Sequence, residues 1–336
     1  MNGVINFEFI VSPILFESSK IESFVEDLIM LKNFINTGVV NIKKEKDIIG
    51  AMIDYDLFPS DKIFMGKIPK DNFPYCSNDI VRMINNILSG STSYESDYLV
   101  EWEKPIEVSP DFDAINQDRK NELVDQFSHM AINNHFSVNK YFPFFSHSKE
   151  CLQENTIEFE GEIKLIIPDQ THVVPFDFKK QLDYFTNVSK FILNLDGMNI
   201  YAEADTPLKM KMALYIGAVK LINIHKLTTR LEWEDFNVSD KFISSLKDNE
   251  SFGRQKYASA TYNSIINVLA NTGKSEINYF YKSDCPTEAR TYGNYTAYRV
   301  HINKQGRGLR FLFWSDGNEI VISNVGNKNE LLIYNP

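Results

Sequence analysis

Three runs near the end of the chain, residues 296–303, 308–314 and 319–323, alternate their side chains with the period of two that sorts a strand onto two faces. They are separated by Lys304-Gln305-Gly306-Arg307 and by Ser315-Asp316-Gly317-Asn318, and Asp-Gly is a strong short-range hairpin signal. The pattern predicts an antiparallel meander. With Asp316-Gly317 as a two-residue turn, Phe313 faces Ile320 and Phe311 faces Ile322. A four-residue first loop sets Ile302 opposite Leu309, Val300 opposite Phe311 and Tyr298 opposite Phe313. Both registers select the same apolar face, and a slip of one residue in either hairpin would turn polar residues into the core.

The opposite face then carries Arg299, His301 across from Arg310, and Trp314, with Lys304 and Arg307 in the adjoining loop. From Lys274 to Arg310 there are seven bases, Arg290 among them, against three acids, a local +4 inside a chain of net charge -10. Guanidinium groups grip phosphate in pairs of hydrogen bonds and aromatic rings stack on unpaired bases. The sequence therefore leads us to expect a nucleic-acid-binding face built from Arg290, Arg299, His301, Lys304, Arg307, Arg310 and Trp314, with RNA or DNA as the partner. The order of helix (254–271), basic meander and terminal strand is similar, in topology alone, to that of small ribosome-dependent and gyrase-directed bacterial toxins. That resemblance covers at most the last quarter of the chain and transfers no residue roles.

Upstream, apolar spacing predicts an α+β mixture with several amphipathic helices. Val4, Ile5, Phe7, Phe9 and Val11 alternate as a strand, and Ser19 with Glu22 resembles a capping box ahead of Phe24, Val25, Leu28, Leu31 and Ile35. Ser77 caps a helical run ending at Gly90, and a further helix is expected to start near Asp113. Tyr141, Phe142, Pro143, Phe144 and Phe145 read as a Pro-interrupted aromatic loop. A strand at 157–167 leads to two helices, one after Asp177 stopped at Gly197 and one after Thr206-Pro207. A chain of 336 residues exceeds one typical core. The polar, turn-rich stretch 235–253 is the best boundary, giving regions 1–250 and 251–336, with a subdivision of the larger near 150 left open.

Other signals narrow the function. Cys76, Cys151 and Cys285 are odd in number and far apart, which fits free thiols in a reducing compartment. The first twenty residues lack a basic, cleavable leader, and no apolar run reaches the roughly 18 residues of a membrane span, so a cytoplasmic protein is expected. Phosphate-loop, dinucleotide and nucleophile-elbow motifs are missing, and the six histidines show no H-E-x-x-H spacing. A metal site could be assembled only in space, from His135, His147, Cys151 and a carboxylate; Ser146, Ser148 and Cys151 offer nucleophile types near His147. Glu158, Glu160, Glu162 and Asp169 with Lys164 weakly match the carboxylate and lysine spacing of metal-dependent nucleases. No cofactor is named by the pattern. The expectation is an intracellular bacterial or phage protein that engages nucleic acid, as a nuclease or defence component. The alternative is a non-enzymatic subunit docking a protein partner through the acid-rich segment 95–125 and the aromatic stretch 141–145.

Overall fold

The computed structural model describes residues 1–16, 20–69, 73–147, 155–166, 175–274, 276–303 and 308–336. It shows an α+β chain ending in antiparallel strands, divided into two compact units, Met1–Phe191 and Ile192–Pro336.

The first unit is organised around β1 (Asn2–Ile5). Two short helices follow, α1 (Phe7–Ile10) and α2 (Ser12–Leu15), and then the long α3 (Ile21–Thr37). The alternation that predicted a strand through Val11 is not strand. Phe7, Phe9, Ile10 and Val11 are all buried, so the run has no solvent face to alternate against and coils instead. Next come β2 (Ile42–Lys44), α4 (Ile48–Asp54), α5 (Asp61–Met65), α6 (Ser77–Gly90) and β3 (Thr92–Ser93). After β4 (Leu99–Trp102) and β5 (Glu107–Ser109) comes α7 (Gln117–Phe136), whose cap is Asn116 rather than a residue near Asp113. The Asn116 side chain accepts the Arg119 N–H at 2.9 Å. The aromatic stretch expected as a loop is β6 (Tyr141–Phe144), parallel to β1. Strand order is β3-β2-β1-β6, all parallel, with β1 central. Such strands are apolar on both faces, which is why Phe144 and its neighbour Phe145 are buried completely.

A second sheet in this unit joins β4, β5 and β8 (Phe176–Asp183) to the long β7 (Thr156–Ile166). Residues after Asp177 were expected to be helical; they continue β8, with Phe178 and Leu182 buried at alternate positions. Helical spacing begins only at α8 (Val188–Ile192). Asp27 of α3 is 7% exposed and accepts the Val188 N–H at 2.8 Å. Burial pushes its carboxyl from an ordinary 3.8 up to about 8. The folded state thus holds a proton that the unfolded chain releases. That contribution is complete below pH 3.8 and is lost as pH rises through about 8. Asp27→Asn keeps the acceptor without the charge, so its melting temperature should exceed that of wild type by a margin that grows from pH 5 to pH 8. Thermal unfolding across that range checks this, and a flat margin would show that Asp27 is not protonated in the fold.

The second unit contains α9 (Gly197–Glu203), α10 (Pro207–His225), α11 (Phe242–Asp248) and α12 (Ala258–Leu269). Thr206 caps α10, as expected, with its Oγ1 accepting the Lys209 N–H at 3.2 Å. Its sheet runs β10 (Ile277–Tyr279), β12 (Tyr295–His301), β13 (Arg310–Ser315), β14 (Ile320–Gly326) and β9 (Phe236–Val238), and β11 (Thr291–Tyr292) pairs with β12. The expected boundary at 235–253 falls inside this unit. Phe236–Val238 pairs in parallel with β14, Asn249 Nδ2 donates to the Val325 carbonyl at 2.9 Å, and Ser245 Oγ accepts the Val325 N–H at 3.1 Å. Those polar residues are there to bond a sheet edge, not to form a linker.

The first hairpin has the expected register, Val300 opposite Phe311 and Tyr298 opposite Phe313. The second does not: Ser315 pairs with Ile320 and Phe313 with Ile322. Asp316 Oδ1 accepts the N–H groups of Asn318 and Glu319 at 2.9 and 2.8 Å and Gly317 takes φ of 97°, which opens the turn to four residues. The shift of two keeps Ile320 and Ile322 on their predicted face. Ser323 is the extra residue of a bulge between the Leu312 and Phe313 pairings.

Candidate functional site

One face of the C-terminal sheet presents Ala297, Arg299 and His301 from β12 and Arg310, Leu312 and Trp314 from β13, with His301 directly across from Arg310 as the sequence predicted. The last ten residues lie over this face and hold it through main-chain carbonyls. Trp314 Nε1 donates to Tyr334 O at 2.6 Å, Asn324 Nδ2 to Leu332 O at 3.1 Å, and Arg310 NH1 to Lys328 O at 2.9 Å. Ile333 fills the cluster formed by Phe280, Ala297, Leu312, Trp314 and Val321.

This cover changes the expected residue set. Trp314 is 3% exposed, so it is a core side chain and not an edge platform. Tyr292, 49% exposed with its ring 6.2 Å from that of Trp314, is the accessible aromatic here. Arg290 gives two of its five donors to Tyr281 O (3.0 Å) and Leu331 O (2.5 Å), with its guanidinium 4.6 Å over the Phe280 ring. Lys304 and Arg307 lie outside the described residues.

Arg299 and Arg310 remain, on adjacent strands and half-buried. The Nε atoms of both are enclosed and have no hydrogen-bond partner among the described residues. Burial, and then the charge of Arg299, hold the Arg310 guanidinium below its usual range. Among the described residues no carboxylate pairs with either group. Two like charges with enclosed, unsatisfied donors are costly. An anion bound at the accessible ends of the two guanidinium groups would offset their mutual repulsion.

The other candidate chemistry is dispersed. On β7, Glu158 lies 3.1 Å from Lys179, which also binds Glu160, and Glu162 lies 2.5 Å from Lys104, so this row is a lysine-paired solvent face. His147 Nε2 is 2.7 Å from the Tyr184 hydroxyl, whereas His135 packs on Phe136 and Phe178. Cys151, Ser148 and Asp169 lie outside the described residues, and among those described no group of three or more His, Cys, Asp or Glu side chains is placed to hold a metal ion. Cys76 and Cys285 are free thiols. The stretch 141–145 offers no docking surface, because Tyr141, Phe144 and Phe145 are buried in strand and core.

Sequence reading missed a buried ionic cluster at the carboxyl ends of β1 and β2. Arg119 Nε and NH2 donate to Glu8 at 2.8 and 2.9 Å, NH1 and NH2 donate to Glu45 at 2.5 and 2.8 Å, and NH1 also reaches Glu122 at 3.1 Å. Glu8, Glu45 and Arg119 are each 1% exposed. Burial pushes the Glu8 carboxyl above its ordinary value. Burial acts the same way on Glu45, but the bonds and charge of Arg119, with the Phe7 N–H and Gln126, outweigh it and hold Glu45 below its ordinary value. All five guanidinium N–H groups are occupied, so the cluster is a clamp joining α1, the residue that follows β2, and α7, and has no donor left for a ligand. The one sequence signal was Glu8 itself, an acid inside an apolar run.

Comparison with protein-family models, curated proteins and solved structures gives no match. Among the described residues no helix is long and apolar enough to cross a membrane.

Proposed function

We propose that the chain engages single-stranded nucleic acid, with phosphate held between Arg299 and Arg310 at the basic end of the C-terminal sheet face and His301 beside them. The observation that carries this reading is the pair of half-buried guanidinium groups on adjacent strands, with no carboxylate paired to either among the described residues. Tyr292, exposed farther along the same face, supplies a ring on which a base can stack. With a net charge of -10, the chain binds phosphate through this local patch and not over its whole surface.

The test is fluorescence anisotropy with labelled single-stranded RNA, single-stranded DNA and duplex DNA over a salt series. Wild type should bind a single strand with an affinity that falls as salt rises. Arg299→Ala/Arg310→Ala should weaken binding at least about tenfold and flatten the log–log salt slope by roughly 1.4, the share of two phosphate contacts on a single strand. Binding that is unchanged in the variant, or none at low salt, overturns the reading. Cleavage of the bound strand, read on a gel from the same samples, is the outcome that would extend the proposal to a nuclease in phage defence.

A further inference from the structure

A pocket of about 810 Å³ opens within the second unit at the opposite end of that sheet face. On β12, Arg299 is four residues beyond Tyr295, about 13 Å along a strand. Tyr292, Tyr295 and Tyr334 line the pocket, and Glu319 and Asp240 contribute carboxylates.

Glu319 is fixed by two donors that themselves line the pocket. Asn237 Nδ2 donates to its Oε1 at 2.5 Å and the Tyr295 hydroxyl to its Oε2 at 2.7 Å, which pushes the Tyr295 hydroxyl above its usual range. Asn237 Oδ1 in turn accepts from Lys211 Nζ at 2.9 Å. That ammonium is 7% exposed and sits 4.6 Å over Trp233 and 5.5 Å over Phe236. The amide of Asn237 therefore links a buried cation to a fixed carboxylate. Each carboxylate oxygen bonded once has a lone pair left for a ligand. Lys241 already lies 5.4 Å over the Tyr334 ring, showing that this wall accepts a positive charge. Asp240 and Glu319 are the carboxylates lining the pocket and Lys241 its lining ammonium, with the Lys211 ammonium behind Asn237.

We propose that this pocket binds an organic cation, a guanidinium or alkylammonium group paired with Glu319 and Asp240 and flanked by tyrosine rings. A carboxylate fixed by two donors recognises such a group without further ordering, and an aromatic wall adds ring–cation attraction. The volume lies within the range of small-ligand sites. The site shares the Tyr292 ring with the nucleic-acid face, but cation binding by Glu319 and Asp240 does not require nucleic acid.

Calorimetric titration of the full chain at moderate salt tests it, with three probes: spermidine, an acetyl-Gly-Arg-Gly-amide peptide, and the same peptide with Gln for Arg. Saturable binding of at least one cation is expected, weakened tenfold or more in Glu319→Gln, with no binding of the Gln peptide. Spermidine alone would identify a free amine as the ligand class, and the arginine peptide a basic segment of a partner protein. Tyr292→Ala, at a position 49% exposed and thus harmless to the fold, should weaken binding severalfold. Arg299→Ala/Arg310→Ala should leave it unchanged, which separates this site from the phosphate site. No saturable binding of either cation at millimolar concentration, or equal binding by wild type and Glu319→Gln, overturns the proposal.

Discussion

Arg119→Leu is expected to destabilise the first unit by about 3–5 kcal/mol, the usual consequence of removing one partner from a buried ion cluster. Glu8 and Glu45 would then face each other, each 1% exposed, with no cation between them. The loss is larger than for a surface pair because neither carboxylate can turn to water. Its pH dependence has a definite sign. Without Arg119, burial and mutual repulsion raise both folded carboxyl pKa values, so the variant should gain stability as pH falls from 7 to 5. The triple change Glu8→Gln/Glu45→Gln/Arg119→Leu leaves no buried charge and should recover much of the loss. Urea unfolding at both pH values reads all three. A single variant within about 0.5 kcal/mol of wild type, the range of an ordinary surface substitution, would mean that the clamp does not hold these elements together.

Gly217→Ala is the second large effect. The added Cβ would overlap the Tyr262 hydroxyl and lie 2.7 Å from its Cζ. It would also approach Ile266 to 3.0 Å, so α10 and α12 could not keep their spacing. Overpacking of this kind costs about 1–3 kcal/mol. Tyr262→Phe alone gives up the hydrogen bond to Ala213 O, 3.4 Å long and worth about 1 kcal/mol. Placed in the Gly217→Ala background, the same change removes the worst overlap and should restore stability instead of lowering it. That reversal of sign, read from a double-mutant cycle, is the measurement to make. Simple additivity would show that the ring and the glycine are not in conflict.

The meander was legible because side-chain parity is written directly in the sequence, and parity survived the misjudged turn. Asp316-Gly317 suits either a two-residue or a four-residue loop, and both leave Phe313 and Ile320 on the same face, so composition could not separate them. Strand β6 was illegible for the opposite reason. A parallel strand buried on both faces has no alternation, and Pro143 read as a loop signal. The clamp joins positions 8, 45 and 119, which no local pattern connects. The cover over Trp314 left no trace either, since Lys328, Leu331, Leu332 and Tyr334 contribute carbonyls that any residue would have.

The central place of β1 also bears on how the first unit folds. Gly3 pairs with Ile42 on one side and with Phe142 on the other, so one neighbour lies 39 residues away in sequence and the other 139. Closing so long a loop carries an entropic penalty before any contact rewards it, and high contact order slows folding. Until residues 141–144 arrive, β1 leaves the backbone N–H and C=O groups of one edge unpaired beside its apolar Val4 and Ile5, the kind of surface on which another chain can add a strand. Aggregation during refolding should therefore be governed by how long that edge stays open, and a slow docking of β6 sets that interval.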